Sequence, residues 1–412
     1  MAPNLQPLFS ERTKLLKASE VRELLKYSQD PTVISFGGGL PNPDAFPLDD
    51  LRLIFEELLH EDNTPSLQYG PTNGDPLLRK ALATMLAGRG IPAVADQIIV
   101  THGAQQALEL FGRVLLDPRD IAMVTQPTYL GIFTAISVYE PDYHGVPTDE
   151  EGILTDVLEE ELRALAMDHL RPKFLYVVPT FHNPTGVTMS LRRRRALVDL
   201  AAEYEIPIIE DDPYYDLRFE GETIPPIASL DKEGWVVYLG SFSKVLAPAF
   251  RIGFAHGPVD LVNKMSLAKQ GVDLFTNGFG QRVAERYLSL GMMKKHIPKI
   301  RKLYRHKRDV MLESLEASWP EGTTWTHPKG GMFLWATVDP AIDTKALLPR
   351  AAARGVIYVP GHGFYAGRPE INHMRLNFSF SSDDAIRKGI PILGSVLRGE
   401  GMESRLLEPI TK

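Results

Sequence analysis

WVVYLGSFSKVLAPAFRIGFA, residues 235–255, holds two short apolar runs, 235–239 and 252–255, on either side of a polar bend that carries Lys244. Each run is short and apolar nearly throughout, as strands buried on both faces are. Working outward, the same kind of run recurs at 98–101 (IIVT), 121–125 (IAMVT), 174–178 (FLYVV) and 206–209 (IPII), with helical spacing between them. Strands alternating with helical stretches predict a mostly parallel sheet covered by helices, an α/β fold. Past about residue 300 the texture changes: a basic amphipathic helix, IRKLYRHKRDVMLESLEAS, precedes WTHPKGGMFLWATV, a helix around 344–354, VIYVPG and MRLNFSFS. That part reads as a smaller α+β domain. The expected division is 1–46 as an N-terminal arm with part of the small domain, 47–295 as the large domain and 296–412 as the small C-terminal domain. Near the N-terminus, 10–28 (SERTKLLKASEVRELLKYS) predicts a helix with Leu15, Leu16, Val21, Leu24 and Leu25 on one face.

The chain has 412 residues, 45 Lys+Arg against 52 Asp+Glu for a net charge of −7, and no cysteine. Without cysteine there is no disulfide scaffold, no thiolate-ligated metal and no thiol catalysis; no metal site is expected. A mildly acidic balance argues against nucleic acid as a partner, because that electrostatic footprint is basic. No apolar run reaches the ~18–20 residues of a membrane helix, and MAPNLQPLFSERTKLLK lacks the apolar core of a secretory signal. A cytoplasmic enzyme is the expectation. The run Arg192–Arg195 follows Ser190, a candidate helix cap, and is expected to be a solvated helix face.

In open α/β sheets, ligands bind beyond the carboxyl ends of the strands. The residues that follow the predicted strands are His102-Gly103-Ala104-Gln105, Gln126-Pro127-Thr128-Tyr129, Asn183-Pro184-Thr185-Gly186, Asp211-Asp212-Pro213-Tyr214 and Ser241-Phe242-Ser243-Lys244, with Arg251 at the start of another strand. They hold an amine, a strand-end carboxylate, an amide, a phenol, two hydroxyls, an aromatic ring and a guanidinium. A cofactor with a phosphate, an aldehyde, a phenolate and a ring nitrogen uses all of them, and pyridoxal 5'-phosphate (PLP) is such a cofactor.

The motifs GGGLPNPDAFP (37–47), HNPTG (182–186), EDDPYY (210–215), SFSKVLAPAFRIG (241–253) and MRLNFS (374–379) resemble those of class I/II, fold-type I aminotransferases. Within that family the chain is similar to the branch acting on 2-aminoadipate, kynurenine, lysine and aromatic amino acids. The likeness runs from about residue 30 to 385, with every motif in family order. It implies a fold-type I PLP-transferase with a large α/β, PLP-binding domain and a smaller α+β one. It also implies a homodimer, and transfer of an amino group from an amino acid to a 2-oxo acid such as 2-oxoglutarate by a ping-pong cycle.

By that resemblance Lys244 bonds the cofactor aldehyde, and its amine must titrate below its usual ~10.4 to be nucleophilic; Arg251 and burial both push that way. Asp211 pairs with the pyridine nitrogen. Alternation along the strand would place its rivals Glu210 and Asp212 on the opposite side, and the family register Asp-x-Pro-Tyr selects Asp211. Tyr214 and Asn183 are expected at the 3′ oxygen, and Tyr129 against the ring. Gly103, Ala104 and Gln105 open a helix whose N–H groups suit the phosphate, joined by Ser241, Ser243 and Arg251. Many relatives carry serine where Ala104 stands, so one hydroxyl is missing here. Arg375 is expected to clamp the substrate α-carboxylate in a bidentate fork, with Gly39 allowing backbone approach and Asn183 nearby. Tyr69, in LQYGPTNG, is expected to reach the phosphate of the neighbouring subunit, so that two chains share each site. His102 is expected to be structural, and the 10–28 helix, through Arg12 or its neighbours, to meet the far end of the donor.

Two other activities suit the same motifs. A decarboxylase or lyase uses the same cofactor and differs in which Cα bond breaks. A PLP-sensing regulatory domain needs a basic DNA-binding module of roughly 60–80 residues upstream, and 36 residues precede the GGG segment in this sequence, so that reading is not the expectation.

Overall fold

Residues 3–16, 32–60 and 64–400 are described by the computed structural model. Strands in chain order are β1 (Ile34–Ser35), β2 (Ile98–His102), β3 (Ile121–Gln126), β4 (Asp142–Asp149), β5 (Gly152–Ile153), β6 (Phe174–Val177) and β7 (Ile208–Asp211). They continue as β8 (Val236–Ser241), β9 (Ile252–His256), β10 (Thr324–Trp325), β11 (Phe333–Thr337), β12 (Val356–Ile357), β13 (Val359–Pro360) and β14 (His373–Asn377). Eight of these form one sheet in the order β2-β9-β8-β7-β6-β3-β4-β5. From β8 through β7, β6 and β3 to β4 every pairing is parallel; β9 runs against both its neighbours, β2 and β8, and β5 against β4. The six predicted apolar runs are all strands here, and their residues are buried almost without exception, because helices cover both faces of the sheet. This is the fold-type I architecture: a large, mostly parallel sheet with helices, and a small antiparallel sheet built from late-chain residues.

Two details of register matter for the site. Pro207 has no N–H to give a ladder, so strand β7 starts at Ile208 and ends on Asp211, two residues beyond the predicted run. The reversal of β9 brings Arg251, at its start, to the rim where the parallel strands end, and His102 pairs with Ile252 there. Strand β4, DYHGVPTD, has no counterpart among the predicted runs. Near the sheet edge, half-exposed and interrupted by Pro147, it lacks the continuous apolar signal of the central strands.

The small sheet has the order β10-β11-β14-β13, all antiparallel, while β1 pairs in parallel with β12. The helix Met292–Ser318 buries Ile300, Tyr304, Met311 and Leu315 and packs against the helix Asp383–Leu397. Thr344–Ala353 is helical, as the spacing predicts.

Two expectations are corrected. Of the four consecutive arginines, Arg192 and Arg195 are solvated, but Arg193 and Arg194 are buried. Successive helical residues are ~100° apart, so four in a row cannot share one face. Arg193 pairs with Asp149, and Arg194 donates to the carbonyls of Met189, Pro179 and Pro225 and to Thr180 Oγ1. Ser190 does cap this helix, accepting from Arg193 N–H. At the N-terminus, Glu11–Leu15 is a single tight 3₁₀ turn that stops at an extended Leu16, so no continuous helix starts at residue 10. None of Glu11–Leu15 is buried, leaving no apolar face to stabilise a longer helix there. The remainder of the predicted helix, from 17 to 28, lies outside the described residues, as do 401–412. Among the described residues no helix is long and apolar enough to cross a membrane.

Candidate active site

A cavity of about 720 Å³ opens at the carboxyl ends of β3, β6, β7 and β8, between the large sheet and the small one. Its lining joins Gly39, Ala104, Gln105, Tyr129, Asn183, Asp211, Tyr214, Ser241, Ser243, Lys244, Arg251 and Arg375, which come from segments spread over most of the chain.

Lys244 is half-buried, and its Nζ donates to Gly39 O at 2.7 Å. Burial, then the positive charge of Arg375 and lastly that of Arg251, bring its ammonium down from 10.5 to about 8. Arg375 therefore acts on this amine more strongly than Arg251, the cation nearer in sequence. Tyr176 donates to Asp211 Oδ2 at 2.8 Å, while Asp211 Oδ1 is buried with no hydrogen-bond partner among the described residues. Burial lifts Asp211 to about 7, against the opposing pull of the Tyr176 hydrogen bond. Glu210 faces the other side of the sheet, where both its oxygens accept from the N–H groups of Ile227 and Ala228. Asp212 lies near Arg89 and Arg194 rather than in the cavity.

One corner of the cavity forms where the helix Gly103–Leu115 meets β9. Gly103 has φ +72°, and a Cβ there would meet the Arg251 guanidinium at 2.7 Å. A Cβ on Gly253 would meet Gly103 C at 2.6 Å and Ala104 N at 2.8 Å. The two glycines let the helix start, its free N–H groups and Arg251 share one small volume. Arg251 itself holds a left-handed backbone (φ 54°), a conformation that costs on the order of 1 kcal/mol for a side-chain-bearing residue. Ser241 Oγ donates to Ser243 Oγ at 3.0 Å and accepts from Ser243 N–H at 3.2 Å.

Arg375, on β14, is almost wholly buried; it donates to Asn183 Oδ1 at 2.8 Å and to Gly37 O at 2.7 Å, and its Nε has no partner among the described residues. Its guanidinium lies 4.3 Å from the Phe333 ring centroid and 5.3 Å from that of Phe364. Burial lowers it to about 10, still charged at neutral pH. Gly131 leaves room for the Tyr129 ring, which a Cβ at 131 would strike.

The model for aminotransferase class I and II matches residues 33–390. The chain belongs to this family. It is similar to aromatic-amino-acid aminotransferase 1 of Thermococcus litoralis, 46% identical with 97% of this chain and 96% of the relative covered. Similarity to the 2-aminoadipate transaminase of Thermus thermophilus is 36%, over 95% of this chain and 96% of that one. Among solved structures, the kynurenine aminotransferase of Pyrococcus horikoshii superposes with a TM-score of 0.93 at 48% identity, covering 96% of this chain and 98% of that one. The protein is a PLP-dependent aminotransferase.

For this aminotransferase the cavity suits PLP on its own residues. It offers a helix start with a cation and two hydroxyls for a phosphate, an amine well below its usual range, and a carboxylate with one unpartnered buried oxygen. Every expected site residue except Gly103 and Tyr69 lines the cavity; Gly103 sits directly behind it against Arg251. Tyr69 is 77% exposed and rests edge-on against Phe275 beside a separate surface groove with Gln68, Asp75 and Arg282. His102 stays outside the cavity, 3.3 Å from Asp273. Arg12 is exposed and does not line the cavity. Sequence reasoning missed Phe333, which touches Arg375 and sits edge-on to Tyr214. It also missed Tyr176. Neither an apolar strand residue nor a buried tyrosine carries a chemical signal in one dimension.

Proposed function

We propose that the aminotransferase site is built from Lys244, Asp211, Tyr214, Asn183, Tyr129, Arg251 and Arg375 in the following roles, and that its preferred donors carry large aromatic or apolar side chains. When bound, PLP supplies an aldehyde that receives the amino group and a ring that accepts the electrons left when a substrate Cα–H bond breaks. Gly103, Ala104 and Gln105 N–H groups, with Ser241, Ser243 and Arg251, bind the phosphate. Asp211 Oδ1 holds the proton on the pyridine nitrogen, Tyr214 and Asn183 donate toward the 3′ oxygen, and Tyr129 restrains the ring plane. Arg375 forks onto the substrate α-carboxylate, with Gly39 leaving its backbone accessible. Lys244 Nζ would take the proton from the substrate Cα and deliver it to the carbon of the former aldehyde, which leaves the amine neutral again. Ping-pong turnover then follows, since one cavity serves amino acid and 2-oxo acid in turn.

The observation that carries the donor class is the cation count of the lining: among the described residues it holds Lys244, Arg251 and Arg375, each committed by the roles above. Among the described residues none remains for a distal carboxylate, while Leu130, Val178, Pro248, Ala249 and Phe333 give an apolar wall. The relatives named for aromatic amino acids and kynurenine point the same way. The test mixes holoenzyme with phenylalanine, tyrosine, kynurenine, leucine and 2-aminoadipate and follows the cofactor absorbance in the first half-reaction. Aromatic donors and kynurenine should react with the highest kcat/KM, and a higher value for 2-aminoadipate refutes the donor class. 2-Oxoglutarate, the acceptor the family resemblance implies, has a distal carboxylate for which the described lining holds no spare cation, so it is compared with pyruvate and phenylpyruvate, which have none. A homodimer with Tyr69 donated to the partner's phosphate belongs to the same proposal, supported by its exposure on a surface away from its own cavity.

A further inference from the structure

We propose that Tyr176 is a positioning residue for the transamination: its phenol holds Asp211 Oδ2, so that Oδ1 alone is presented to the cofactor nitrogen and the shared proton stays on nitrogen rather than on the carboxylate. The inference rests on the assignment of Asp211 above. Tyr176 lies on β6, in register with Ile209 of β7, and is fully buried. Its O–H donates to Asp211 Oδ2 at 2.8 Å, and among the described residues it is the hydrogen-bond donor to that carboxylate. Oδ1, on a residue that lines the cavity, has no hydrogen-bond partner among the described residues.

The chemistry follows from this asymmetry. A buried carboxylate with a bare oxygen is a strong base, and next to a pyridine it can keep the proton for itself, leaving the ring neutral and a poor electron acceptor. A hydrogen bond from a neutral phenol to the other oxygen spreads the negative charge and weakens that base. Burial holds the phenol of Tyr176 far above its usual range, so it remains a donor and does not compete as an anion. The other ionisable groups facing this pair are Asp212, next in the chain, and Tyr129 and Tyr214 across the cavity. Asp212 raises the proton affinity of Asp211 and none of them donates to Oδ2. Tyr176 is thus the group that sets the balance between nitrogen and oxygen.

The experiment loads wild type and Tyr176→Phe with PLP labelled with nitrogen-15 in the ring and reads the ring chemical shift. Phenylalanine keeps the buried ring and removes only the hydroxyl. In wild type the shift should be that of a protonated pyridine. In Tyr176→Phe it should move toward the neutral value, reflecting a roughly tenfold loss in the ratio of nitrogen- to oxygen-bound proton, as expected for one charge-assisted hydrogen bond. kcat should fall about tenfold with KM for the amino acid unchanged, because Arg375 is untouched. In an Asp211→Asn background Tyr176→Phe should add no further change. A ring shift identical in both proteins, or an equal effect in the Asp211→Asn background, overturns the inference. A second readout uses the cofactor-free protein with fluorinated tyrosines at position 176. Each fluorine acidifies the phenol while preserving its shape, so the Asp211 carboxyl band in infrared difference spectra should titrate at progressively lower pH, and no movement overturns the inference even if Tyr176→Phe does not fold. Borohydride fixation keeps the two claims apart: label on Lys244 with an unmoved ring shift overturns only the role of Tyr176, whereas absence of label on folded wild type overturns the site assignment and this inference with it.

Discussion

Replacing Lys244 by methionine should stabilise the cofactor-free protein, although it removes the residue on which activity depends. The half-buried amine titrates at about 8 instead of 10.5. Folding must therefore strip a proton or bury a charge at neutral pH, and at ~1.4 kcal/mol per pH unit this costs about 3 kcal/mol. The hydrogen bond to Gly39 O returns about 1 kcal/mol. Methionine is of similar length and has no charge to desolvate, so Lys244→Met should be more stable by about 2 kcal/mol at neutral pH. The sign of the pH dependence is fixed. Between about 8 and 10.5 the unfolded chain binds a proton at this lysine and the folded chain does not, so wild-type stability rises with pH across that window relative to the variant. The assay is urea unfolding of both cofactor-free proteins at one protomer concentration, at about pH 7 and about pH 10. The advantage of the variant should shrink by on the order of 2 kcal/mol between the two. An advantage that stays constant with pH, or a variant less stable at neutral pH, refutes the reasoning.

The same titration makes the rate of PLP capture by cofactor-free protein rise with pH around a midpoint near 8, measured by stopped-flow absorbance, because only the neutral amine attacks the aldehyde. Arg375→Lys should raise KM for amino acid and 2-oxo acid together by ~10–100-fold, since an ammonium cannot reproduce the fork held by Asn183 and Gly37; steady-state kinetics in both directions check this. Arg194→Met should cost about 3–5 kcal/mol in urea unfolding, because it strands the carbonyls of Met189, Pro179 and Pro225 and leaves Glu210 without its nearest cation, 4.0 Å away. Mixing Tyr69→Phe with Lys244→Ala subunits should restore up to about a quarter of wild-type activity per site pair if sites are shared, and none if they are not.

The amino-acid sequence by itself determined the architecture and the chemical inventory. Central strands buried on both faces must be apolar along their whole length, so 98–102, 121–126, 174–177 and 236–241 announce themselves without any knowledge of partners. Each is followed directly by the residues that line the cavity, because a strand's carboxyl end and the next few residues are neighbours in the chain as well as in space. Tertiary structure alone decided the rest. Strand β4 near the sheet edge, the burial of Arg194, the reversal of β9 that carries Arg251 to the rim, and the dominance of Arg375 over Arg251 at Lys244 all depend on which segments meet. Arg375 lies 131 positions from Lys244, and Gly39 lies 205, yet both reach the same amine. Hydrophobic periodicity reports how one segment meets the core; the electrostatics of a half-buried amine depend on through-space distances that folding sets, and a linear pattern holds no record of them.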